Sequence, residues 1–308
     1  MQPTAIQARF EAALNAFADK IKTDPNIQAV ILIGSLANDV VWEKSDMDVH
    51  VLVRDVKLPV KSFCIEEDEL IINVMLTTEF DFKRMLERSV GGSMFNSVFM
   101  KAKVVYAKDD SIHDFIAKAQ KMGKDDIALA FFQQASGLIY YMEKIEKWLT
   151  VKNDPMYAQF WVTHSSYTYA NMCLLLDGKP TGREAVLKVM EYAPEKVFPI
   201  YTRPLTGSMT SEEVWDVLKF YRSFLEENAE LLTLPVTNYM ADGEVRTVTN
   251  LVKHFGGSSH DIYHIFDFLE EMGVVARVTE AVRITPKSRL AAEEVAFVYI
   301  NEDEEMYV

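Results

Sequence analysis

Two short stretches, Ile31-Leu32-Ile33-Gly34-Ser35-Leu36 and Ser45-Asp46-Met47-Asp48-Val49, limit what this chain can fold into more than any other feature. The first reads as an apolar strand that ends in Gly-Ser. Such an ending gives a tight turn in which backbone N–H groups and a hydroxyl reach phosphate oxygens with no Cβ in the way. The second opens another strand, supported by alternation through Met47-Asp48-Val49-His50-Val51-Leu52-Val53. Aspartates at i and i+2 of a strand point to one face, so the Asp46 and Asp48 carboxylates converge. Two such carboxylates suit Mg²⁺, which takes one or two of them together with substrate phosphates. An Asp-x-Asp pair alone says little. A strand, Gly-Ser, a loop and Ser-Asp-x-Asp on a second strand form a far narrower pattern.

The rest of the composition sets limits on the partners. The 308 residues are 49% hydrophobic and 25% charged, which predicts an ordinary globular protein of two or three domains. The apolar runs are strand-length, well short of the roughly 18 residues of a membrane span. The N-terminal residues lead into a charged amphipathic helix rather than a basic-then-apolar leader, so a cytoplasmic setting is expected. Cys64 and Cys173 lie far apart and outside any Cys/His cluster, and are expected to be two buried, reduced thiols. A net charge of −14 opposes non-specific binding to nucleic acid and suits a cationic small molecule.

An α+β chain in three regions is predicted. The first, residues 1–110, starts with a helix marked by Phe10, Leu14, Phe17 and Ile21, turns at Asp24-Pro25-Asn26, and continues as strands over 29–33, 47–53, 61–65 and 70–76. The second, residues 111–234, is helical, with apolar residues at three- and four-residue spacing over 127–149, 157–176, 183–190 and 211–232. Its aromatics Phe131, Phe132, Tyr140, Tyr141, Trp161 and Tyr169 are expected in the bundle core, with one or two lining a ligand cleft. In the third, residues 235–308, helices over 247–255 and 258–272 flank Gly256-Gly257. Alternating stretches at 274–278 and 281–285 predict a hairpin, followed by an acidic, frayed tail over 301–305. This end resembles a winged helix through Leu269-Glu270-Glu271-Met272-Gly273-Val274-Val275 and Arg283-Ile284-Thr285-Pro286-Lys287.

The Gly-Ser and Asp-x-Asp core, with its spacing, resembles the nucleotidyltransferase superfamily that includes DNA polymerase β, and within it the kanamycin and lincosamide nucleotidyltransferases. That resemblance implies an N-terminal domain with a short mixed sheet and helices, and a helical domain closing an acceptor cleft. It implies Mg²⁺ and an NTP co-substrate, with ATP the first choice, whose α-phosphorus is attacked by a substrate hydroxyl as pyrophosphate leaves. Asp46 and Asp48 would hold the metal, and Gly34, Ser35 and Ser45 the phosphates. The family's third acidic residue aligns with Asn73 of Ile72-Asn73-Val74-Met75, which can ligate through its carbonyl but brings no charge. Glu143-Lys144-Ile145-Glu146-Lys147-Trp148 resembles the kanamycin enzyme's helix segment, which would make Glu143 the general base and Lys147 a phosphate contact. Asn38 stands where that enzyme has an arginine. Related antibiotic enzymes pair subunits to complete the cleft, so a homodimer is compatible with the resemblance.

Other signals point elsewhere. His260-Asp261-Ile262-Tyr263-His264 mimics the HExxH metalloprotease signature, but aspartate replaces the glutamate base, no third ligand is evident, and the segment fits a helix of the C-terminal module. His50, on the strand face of Asp48, reads as a packed histidine. From Pro235 onward six Lys/Arg face thirteen Asp/Glu, the wrong sign for phosphate contact, so nucleic acid is not the expected partner. The expectation is metal-dependent transfer of a nucleoside monophosphate to a hydroxyl of a small molecule. The rivals are nucleotidylation of a protein or RNA, and a non-catalytic regulator that binds a nucleotide or a partner.

Overall fold

The computed structural model describes residues 5–37, 41–54, 57–88, 99–289 and 291–300. Asn38 and the 301–305 tail lie outside them. Contacts divide the chain into two compact units, Met1–Gly123 and Lys124–Val308.

The first unit is a five-stranded mixed sheet with helices on both faces. Its strands are β1 (Ile27–Ile33), β2 (Met47–Val53), β3 (Ser62–Glu67), β4 (Leu70–Thr78) and β5 (Lys103–Ala107), in the order β3-β4-β2-β1-β5. Only β2 and β4 pair in parallel; β3 reaches β4 by a hairpin whose tip, Asp68-Glu69, takes positive φ angles. The near-continuous apolar run of β1 follows from burial on both sides. Val30 and Leu32 pack toward Phe10, Leu14 and Phe17 of α1 (Ala5–Ile21), while Ala29, Ile31 and Ile33 join Phe82 of α3 (Glu79–Arg88) and Ile112 and Ile116 of α4 (Ser111–Ala119). A short turn, α2 (Gly34–Ala37), leaves the end of β1.

The second unit is built on α5 (Lys124–Thr150) and α6 (Pro155–Leu176), followed by α7 (Ala185–Tyr192), an irregular helical run over 194–205, α8 (Ser211–Glu227) and α9 (Ala229–Met240). The helix predicted over 211–232 is two helices that break at Asn228, and α9 runs through Pro235. The starts of α6 and α8 are capped by side chains. The Asp154 side chain accepts from the Tyr157 amide with Pro155 in the first turn, and Thr210 and Glu213 form a capping box. At the C-terminal end come β6 (Arg246–Thr247), α10 (Val248–Phe255), α11 (Ser259–Glu271), β7 (Val275–Val282) and β8 (Ala292–Tyr299), the strands in the order β6-β8-β7. Phe132 of α5 meets Phe255 and Phe266, which binds this end to the helices within the unit.

Two expectations need correction. The stretches at 274–278 and 281–285 do not pair with each other. Residues 275–282 are one strand, and its partner is β8. Nothing near Thr279-Glu280 supplies reversing chemistry, whereas Thr285-Pro286-Lys287-Ser288 does: the Ser288 amide donates to the Thr285 carbonyl and the Thr285 amide to the Ser288 hydroxyl. Cys64 is exposed, not buried, because it stands on β3 at the sheet edge; Cys173 is buried, and burial pushes its thiol up to about 11. Of the six aromatics, Phe131, Phe132 and Tyr169 are core, while Tyr140, Tyr141 and Trp161 are half-buried.

Candidate active site

Strand register places the site. In β1–β2 pairing Ile33 stands opposite Asp48, and in β2–β4 pairing Asp48 stands beside Asn73. The residue after Ile33 therefore passes directly by the Asp48 carboxylate. A Cβ on Gly34 would lie 2.6 Å from Asp48 Oδ2, and Gly34 has φ +77°. Close approach and a left-handed backbone both call for glycine. Asp46 arrives from a turn closed by the Ser45 amide on the Trp42 carbonyl (2.9 Å) and the Trp42 amide on Ser45 Oγ (3.1 Å). Ser45 thus serves first to shape the turn that delivers Asp46.

Asn73 joins the two aspartates. Its Nδ2 donates to Asp46 Oδ2 at 2.6 Å and to Asp48 Oδ1 at 3.3 Å. The amide does here what a cation would do, drawing two negative oxygens together with its positive edge. These groups fit a hard dication: two carboxylates and, once the amide turns over, its carbonyl oxygen form an all-oxygen donor set. Asp46, Asp48 and Asn73 would hold that ion, and the glycine leaves room for phosphate beside it.

A cavity of about 250 Å³ opens here, lined by Asp48, Asn73, His50, Ser62 and Cys64 among others. His50 belongs to its wall as a neutral core group. It is buried against Phe82 and Phe99, and that burial lowers its pKa to about 4.

Glu143 and Lys147 lie on α5 in the second unit, whereas Gly34, Ser35, Ser45, Asp46, Asp48 and Asn73 lie in the first. Among the described contacts the Glu143 carboxylate meets His264 of α11, whose pKa burial lowers, and not Lys147. Burial raises the Glu143 pKa, and the charges of His260 and Lys144 oppose that rise. Lys147 is exposed, and Trp148 packs on Tyr157 with ring centroids 4.2 Å apart. The Glu143–His264 contact was hidden from sequence reasoning, because nothing local to either residue announces a partner so far along the chain.

The model of the polymerase beta nucleotidyltransferase family matches residues 15–111. That stretch holds all five strands of the first sheet together with Gly34, Ser35, Asp46, Asp48 and Asn73. The first unit accordingly has a nucleotidyltransferase fold, which supports nucleotide transfer in general. A solved structure of a nucleotidyltransferase-like protein from Exiguobacterium sibiricum 255-15 superposes with a TM-score of 0.65 at 15% identity, covering 95% of this chain and 100% of that one. At that identity the likeness speaks for the fold alone. No curated protein matches the sequence. Among the described residues no helix is long and apolar enough to cross a membrane.

Proposed function

We propose that this chain transfers a nucleoside monophosphate from an NTP to a hydroxyl of a small molecule and releases pyrophosphate. The observation that carries the reading is that Gly34, just past the end of β1, stands beside Asp48 of β2 and Asp48 beside Asn73 of β4, with Asp46 next to them. In this reading Asp46 and Asp48, with the Asn73 carbonyl, hold Mg²⁺, and Gly34 and Ser35 accept the triphosphate. The ion supplies positive charge against the charge that develops on the phosphate oxygens. Lys147 contacts a phosphate and Glu143 takes the hydroxyl proton, as the resemblance to the antibiotic nucleotidyltransferases suggests; the raised pKa of Glu143 suits a base. A cationic acceptor is favoured by the net charge of −14 and by the exposed aromatic rings of Tyr157 and Phe160 on α6. The C-terminal helices and strands are read as a winged helix whose acidic balance suits packing or gating, not DNA.

The test is pyrophosphate release with each of the four NTPs, Mg²⁺ and a panel of hydroxylated amines. Asp48→Ala is expected to lower turnover at least about a hundredfold, the usual scale for losing a group that stabilises developing charge. Turnover that survives this change removes the proposal.

One observation favours a second reading, a nucleotide-binding regulator without turnover: the Asn73 amide already satisfies both carboxylates. A rise in melting temperature with Mg²⁺ and NTP, without pyrophosphate under any acceptor, would select it.

A further inference from the structure

Of the four tryptophans in the chain, Trp42 is the one whose side chain the fold does not use. It opens the turn Trp42-Glu43-Lys44-Ser45, and its backbone makes both bonds that close it: the carbonyl accepts from the Ser45 amide at 2.9 Å, and the amide donates to Ser45 Oγ at 3.1 Å. The indole takes no part in this. It is 62% exposed, whereas Val41 beside it packs against the core of the sheet. Trp148 and Trp161 are half-buried, and Trp215 is 37% exposed. One exposed apolar side chain is ordinary on a protein surface. What sets this one apart is where it stands. The turn holds the Cα atoms of Trp42 and Ser45 within about 7 Å of each other, and the next residue is Asp46, which Asn73 joins to Asp48. Lys44 Nζ lies 5.8 Å from the indole centroid, and among the described ion pairs Lys44 has no carboxylate partner. A free π face and an uncompensated ammonium therefore share the turn that delivers a candidate metal ligand.

We propose that the Trp42 indole is the platform on which the base of the nucleoside triphosphate stacks, and that it favours purines. This rests on the nucleotidyltransferase reading of the site. With the ion on Asp46 and Asp48 and the phosphates beside Gly34, the base lies one ribose away, within reach of a side chain rooted in the same turn. Indole offers a wide, rigid π face, and stacking on it needs no hydrogen-bond partner. A purine covers that face with two fused rings and a pyrimidine with one, so ATP and GTP are preferred to CTP and UTP. The Lys44 ammonium adds positive charge on the side from which a polyphosphate approaches two carboxylates. Trp42 is not among the residues that line the cavity of about 250 Å³ at Asp48 and Asn73, so a base held on the turn leaves that cavity to the acceptor.

The experiment compares ATP, UTP and tripolyphosphate, a phosphate chain without a base, by calorimetry on the full chain in millimolar Mg²⁺, with tryptophan emission as a second readout. ATP is expected to bind the parent chain more tightly than UTP and to quench its emission. Trp42→Ala should weaken ATP about tenfold and leave tripolyphosphate unchanged, the scale and the pattern of a lost base–aromatic stack. Trp42→Phe should restore most of the ATP affinity, while the part of the quenching that belongs to the indole disappears. The melting temperature without ligand should stay the same in both variants, because the bonds that close the turn are made by the Trp42 backbone. Equal affinities for ATP and UTP in the parent chain, unchanged ATP binding in Trp42→Ala, or a loss shared equally by tripolyphosphate overturns the proposal and leaves the nucleotidyltransferase reading in place. A parent chain that binds none of the three ligands removes both.

Discussion

Replacing Gly34 by alanine tests the placement of the candidate site more directly than removing a carboxylate does. At φ +77° an L-residue costs about 1–2 kcal/mol by steric conflict with its own backbone. The added methyl also lies 2.6 Å from Asp48 Oδ2, so the carboxylate must swing off its rotamer, at about 0.5–1.5 kcal/mol. The expected loss is about 2–3 kcal/mol, and Asp48 moves away from Asn73. Gly178→Ala is the control. Gly178 has φ +65° and nothing within 4 Å of the added Cβ, so only the backbone penalty applies. Urea unfolding gives both stabilities, and Gly34→Ala should fall about 1 kcal/mol further than Gly178→Ala. The melting-temperature response to Mg²⁺ with NTP should vanish in Gly34→Ala and persist in Gly178→Ala. Equal stabilities, together with an intact nucleotide response in Gly34→Ala, would refute the close approach as the reason for this glycine.

Asn73→Asp should raise the midpoint of stability at millimolar Mg²⁺ relative to its metal-free value by more than in the parent chain. Without metal it should be the less stable protein by about 1–3 kcal/mol, since two hydrogen bonds become like-charge contacts. His50 gives a pH dependence. Its folded pKa of about 4 lies below the ordinary 6.5, so the unfolded chain binds the extra proton as pH falls. The stability that neutral His50 carries is whole above pH 6.5 and drains away toward pH 4. About 2 kcal/mol should be gone by pH 5, at 1.36 kcal/mol per unit. Denaturant midpoints between pH 7 and 5 should fall less steeply in His50→Leu than in the parent chain; parallel slopes would exclude His50 as the cause.

The site in the first unit was legible because its signals are local. Gly34-Ser35 ends a strand that declares itself by its apolar run, and Asp46-x-Asp48 opens one that declares itself by alternation. Asn73 fell in place through a strand whose period is equally clear. What escaped were elements without such marks. The edge strand Lys103–Ala107 is short and only half-buried, and α3 carries its apolar residues among many charges. The hairpin near the C-terminal end is hard to place from sequence because the alternation of β7 runs on without a break, and only the turn chemistry after Arg283 shows where the chain reverses. The His264 partner of Glu143 depends on helix packing, which no local pattern encodes.

The row from Gly34 through Asp48 to Asn73 also sets which changes in chain length this domain can absorb. A change in chain length outside β1, β2 and β4 leaves their register untouched, and it costs little where each doubling of loop length adds only about 0.6 kcal/mol. A single residue inserted within β2 between Met47 and Val53, or in the early part of β4, is different in kind. It would send Asp48 or Asn73 to the opposite side of the sheet and bring a core methyl into its place. Homologues should therefore differ in length between the strands and agree within them.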